Sequence, residues 1–123
     1  MRARIACAMC ALLAGVATSF ATTRLTPAEI QTMFFNGQPF TAATPSNVKF
    51  KMTFMADGKV AREPVEKTGG SKGEGTWKLD ENGFCTTWKG SKASKVSCFT
   101  VVTSGDNKWS VMRGTALMAV WTK

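Results

Sequence analysis

The sequence predicts a mainly β protein. Its expected form is an antiparallel meander of seven or eight short strands, closed as a small barrel or folded as a sandwich, with one short helix at the N-terminal side. Three observations carry this. Apolar and polar residues alternate with period two over Val48–Phe54. Strand-like runs then recur every ~8–12 residues, each followed by turn chemistry. No strand–helix–strand alternation and no internal repeat appears, which argues against a parallel sheet.

The first element is not part of that fold. Arg2 and Arg4 precede an apolar run from Ile5 to Val16, and small residues follow up to Ala21. A charged start, a short apolar core and a small-x-small end together read as a cleavable secretory signal. The run is about twelve residues, whereas a membrane-spanning helix needs ~20. Residues 1–21 are therefore expected to be removed, leaving one domain over 22–123 and a periplasmic or secreted protein. Loss of Arg2 and Arg4 takes the formal charge from +8 to +6.

Thr26-Pro27-Ala28-Glu29 is a helix start: a capping hydroxyl, a proline suited to the first turn and a glutamate that completes a capping box. Leu25, Ile30, Met33 and Phe34 make an apolar stripe, and Asn36-Gly37 ends it. A helix over about 27–35 is expected to cover one end or face of the sheet. In the following strand Val48, Phe50, Met52 and Phe54 form the buried face, with Lys49, Lys51 and Thr53 opposite. Ala56-Asp57-Gly58 turns the chain, and Lys59-Val60-Ala61 begins the return. Residues 66–75 are rich in Gly and Lys and read as a loop. Gly75–Leu79 is the next strand, and Asp80-Glu81-Asn82-Gly83 turns it back. Phe84–Trp88 and Lys95–Thr103 pair as a hairpin. Lys108–Met112 and Ala116–Thr122 complete the sheet.

The cysteines divide into two pairs. Cys7 and Cys10 sit in the export segment. Cys85 and Cys98 remain, and two cysteines in an exported chain imply one disulfide. A hairpin centred between Ser91 and Lys92 sets Cys85 directly opposite Cys98, within bridging distance.

The chain contains no histidine and no tyrosine. That removes Ser-His-Asp and Cys-His nucleophilic arrangements and histidine-based metal or haem sites. No cofactor or metal is expected. Eight carboxylates remain, all in expected turns, loops or the helix cap, where they suit local hydrogen bonding. The expectation is a non-enzyme. Lys89, Lys92 and Lys95 cluster on the disulfide-bearing hairpin. A net positive surface attracts anions, such as an acidic protein or an anionic envelope component. Nucleic acid is not expected after export, because the lysines do not interleave with exposed aromatics.

A fixed order of short motifs runs along the chain: Phe54-x-x-Asp57-Gly58-x-Val60, Gly73-x-Gly75-x-Trp77, Cys85-x-x-Trp88 and Cys98-Phe99. With Leu25-Thr26-x-x-Glu29-Ile30 and the export segment, this order resembles small exported bacterial proteins of unknown function. They are found mainly in alphaproteobacteria and have a lipocalin-like β architecture. The resemblance implies fold and location. It brings no activity and no site residues.

Two functions follow as expectations. In one, a non-enzymatic binding module holds a small apolar ligand in a barrel mouth lined by Phe50, Phe54, Trp77 and Trp88. In the other, an exported inhibitor or accessory protein meets an acidic partner through Lys89, Lys92 and Lys95.

Overall fold

A computed structural model describes residues 23–65, 69–90 and 95–123. The expected export segment with Cys7 and Cys10 lies outside these residues, as do Glu66, Lys67 and Lys92.

Helix α1 spans Pro27–Phe34 and begins as its sequence dictates. The Thr26 hydroxyl accepts from the Glu29 N–H, and the Glu29 carboxylate accepts from the Thr26 N–H. Ile30 and Phe34 are buried on its inner face. The chain leaves the helix at Phe35, and the Gly37 N–H donates to the Phe54 carbonyl.

Eight strands follow: β1 (Phe40–Ala43), β2 (Lys49–Phe54), β3 (Lys59–Pro64), β4 (Gly73–Leu79), β5 (Phe84–Trp88), β6 (Ser97–Gly105), β7 (Lys108–Arg113) and β8 (Ala116–Thr122). Each pairs antiparallel with its neighbours in the chain, and β1 also pairs with β8. The sheet is therefore a closed up-and-down barrel, not a sandwich. Closure leaves no long open edge to pair with another chain.

The closing strand is the one element that the period-two reading passes over. Phe40-Thr41-Ala42-Ala43 is short, and Thr41, Ala42 and Ala43 face Thr122, Trp121 and Val120 across the seam. The proposed 66–75 loop is shorter than expected, because β4 already starts at Gly73. Glu63 and Glu74 were expected in loops, but they lie in β3 and β4. The reason is the alternation itself: Glu63 and Glu74 follow Arg62 and Gly73 on their strands and face solvent, where a carboxylate is stable.

Cys85 and Cys98 are register partners, with Cα atoms 3.9 Å apart and sulfurs at 2.08 Å, disulfide bonding distance. Residues 23–25 run beside β6: Leu25 N–H donates to Val101 O and Thr103 N–H to Thr23 O. β5 pairs β6 only through Ser97–Phe99, so this segment takes up backbone groups that β5 leaves open.

One end of the barrel is plugged by α1. Phe34 and Phe35 are consecutive and both buried, and they split the work. Phe34 packs on Phe40, Trp109 and Trp121, with ring centres 4.9–5.0 Å away. Phe35 stacks on Phe54 at 4.2 Å and meets Trp77 at 4.5 Å and Phe84 at 5.3 Å. Edge-on and tilted aromatic pairs of this kind fill a small interior efficiently. Lys123 seals the rim by donating from Nζ to the Met33 carbonyl.

The barrel mouth as candidate functional site

In an up-and-down barrel strand direction decides which end a residue occupies. Even-numbered strands run from the open end toward the plug, and odd-numbered strands run back. Phe50 early in β2 and Trp88 late in β5 therefore share the open end. Phe54, Phe84 and Trp121 form an aromatic floor between that end and the plug, with Phe54–Trp121 and Phe84–Trp121 ring centres at 5.7 and 5.4 Å.

Above this floor lies a cavity of about 170 Å³ that opens to solvent. Met52, Phe99, Val111 and Ala119 form much of its wall, and Ala42 and Thr44 approach from the closing strand. Met118 reaches it because a bulge between Val111 and Met112 shifts the register with β8. Three of the four residues expected to hold a ligand, Phe50, Phe54 and Trp88, line the cavity. Trp77 does not. It sits late in β4, an even strand, so it belongs to the plugged end. There it packs on Phe35, and its indole N–H donates to the Met55 carbonyl at 2.8 Å.

The structure adds one residue that the strand pattern did not single out. Arg62 shares the inward face of β3 with Val60 and lines the cavity. Its guanidinium carbon lies 5.1 Å from the Phe50 ring centre and 4.7 Å from that of Trp88. Cation–π contacts of this geometry hold an arginine head against aromatic surfaces. Its register partner is Gly73, and a Cβ there would come within 2.9 Å of Nε, so the glycine leaves the space that the guanidinium occupies. The Nε is buried without a hydrogen-bond partner. The other polar side chains on the wall are Thr44 and buried Thr86. Among the described residues no carboxylate lines the cavity.

Charge is distributed unevenly between the two ends. At the plugged end Arg24, Lys59, Lys78, Lys108 and Lys123 are matched by Glu29, Asp57, Asp80, Glu81 and Asp106. On the described residues of the mouth half, Lys49, Lys51, Arg62, Lys72, Lys89, Lys95 and Arg113 face only Glu63 and Glu74. Glu63 pairs with Lys51 at 3.4 Å and Glu74 with Lys89 at 3.9 Å, both pairs well exposed. Lys89 of the basic hairpin is thus already engaged, Lys95 is exposed, and Lys92 lies outside the described residues.

Asp80, Cys85 and Cys98 bring ligand-type atoms within 4.8 Å of one another. Two of these atoms are the joined sulfurs. The Asp80 Oδ1 accepts from the N–H groups of Asn82 and Gly83, as a turn aspartate does. This cluster shapes a turn and offers no thiolate. Among the described residues no helix is long and apolar enough to cross a membrane. The chain finds no match among protein-family models, curated proteins or solved structures, so a function has to come from the site itself.

Proposed function

We propose that this chain is an exported, non-enzymatic binding protein that takes a small, mainly apolar ligand into the barrel mouth. The observation that carries the reading is the cavity. It is closed below by an aromatic floor, walled by apolar side chains and open at the end opposite the helix. Most ligand pockets measure ~300–1,000 Å³, and this one is smaller. Its size is close to that of an apolar cavity of ~150 Å³ that accepts benzene. The ligand class is therefore a single aromatic ring or a short alkyl chain, not a long lipid. Export is supported by the charged and apolar N-terminal run and by a cysteine pair at bonding distance, since disulfides persist outside the cytoplasm.

Titration of the mature chain with indole, followed by two-dimensional NMR, tests the reading. Saturable shifts are expected at Met52, Thr86 and Ala119, with little change at Gln31 or Met33 beside the plug. Ala119→Leu should fill the cavity and remove the shifts. If neither indole nor a series from benzene to octanol gives saturable shifts at the mouth, the ligand-binding reading is wrong.

A further inference from the structure

We propose that the mouth selects small carboxylic acids, with Arg62 receiving the carboxylate and the apolar wall receiving the ring or alkyl part. This rests on the reading of the mouth as a ligand site and names the chemistry of what enters it.

The starting point is an inward-facing charge. Alternation along β3 sends Val60 and Arg62 to the same side, so the arginine stands on the inner face of the barrel, where it is half-buried. An inward arginine is usually met by a carboxylate or by carbonyl oxygens. Here, among the described residues, the cavity wall supplies no carboxylate, and the Nε is buried with no acceptor. Aromatic faces of Phe50 and Trp88 hold the head in place without using its N–H groups. Gly73 keeps the neighbouring strand clear of it. The result is a positioned set of donors at the edge of an apolar chamber.

The guanidinium fork matches a planar carboxylate, which can accept two parallel N–H bonds. The chamber limits the rest of the molecule to about one ring. The excess of cations around the mouth acts in the same direction. A field of one sign raises the local concentration of anions and favours their entry over neutral compounds. The plugged end, where acidic and basic side chains are balanced, has no such bias.

The test compares phenylacetate with phenylacetamide, which have nearly the same shape and differ in charge. Calorimetry on the mature chain at low salt should show the acid binding about ten- to a hundredfold tighter, the range expected for charge-assisted hydrogen bonds. Arg62→Met should remove the preference and bring the acid down to the affinity of the amide. Arg62→Lys, which keeps charge but loses the fork, should fall between. Circular dichroism checks that each variant folds; if Arg62→Met does not, the wild-type acid-to-amide ratio decides alone. Equal affinity of acid and amide for the wild type overturns the role of Arg62 while leaving the mouth as an apolar ligand site. A preference that survives in folded Arg62→Met overturns it too. If neither compound binds and the indole titration is also flat, the ligand site itself is refuted.

Discussion

Phe35→Ala should be among the most damaging single substitutions in this protein, although residue 35 lies just past the end of a short helix. Its ring is 1% exposed and contacts Phe54, Trp77 and Phe84 from three different strands. Truncating a buried phenylalanine removes transfer free energy and leaves a cavity, typically at a cost of about 3–5 kcal/mol. Because Phe35 ties the plug to β2, β4 and β5 at once, neighbouring groups have little room to collapse into the gap, and the upper part of that range applies. Small domains are stable by only ~5–15 kcal/mol. The melting temperature should fall by about 4–8 °C for each kcal/mol lost. Urea unfolding followed by tryptophan fluorescence measures this directly, with Gln31→Ala as the control. Gln31 is exposed on the same helix, and its replacement should change stability by no more than ~0.5 kcal/mol. If Phe35→Ala costs less than ~1 kcal/mol, the barrel does not depend on an aromatic plug and the account of the core given above fails.

Three further outcomes are expected. Replacing Cys85 and Cys98 together by alanine reopens a 13-residue separation and should lower stability by roughly 3 kcal/mol in a chain-entropy treatment; an unchanged urea midpoint would contradict it. Gly75→Ala should be poorly tolerated, because a Cβ there would lie 2.2 Å from the Thr87 carbonyl oxygen, a backbone atom that cannot swing away; a normal melting curve for the purified variant would show that β4 and β5 have slack. A double-mutant cycle on Lys51 and Glu63 should give no more than ~1 kcal/mol, since both side chains are about half exposed; a markedly larger coupling would mean that this pair sits in a drier setting than its exposure indicates.

Much of the fold was legible because local chemistry and global pairing agree. Thr26 and Glu29 announce the helix, Asp57-Gly58 and Asp80–Gly83 announce turns, and the hairpin arithmetic places Cys85 opposite Cys98 as the register confirms. β1 escaped for a physical reason. Four residues with two alanines carry little alternation, and one of their two partners, β8, is at the far end of the chain. Strand direction together with position along each strand puts Phe50 and Trp88 at the mouth and Trp77 at the plug. Arg62 was hidden by chemistry: its parity with Val60 signals an inward side chain, yet charge argues for an outward one. Only the aromatic surfaces of Phe50 and Trp88, from two other strands, show how an inward arginine is accommodated.

Thr23 bonds to Thr103 beside the helix, and Lys123 bonds to Asn107 and Met33 at that same pole. Both extremities of the described polypeptide thus emerge on the face opposite the aperture. An affinity handle, fluorophore or surface tether attached at either extremity would leave the entrance pointing into bulk solution. Sensor-chip measurements on captured protein should therefore return the same constants as measurements in free solution, and coupling chemistry directed at lysines should not.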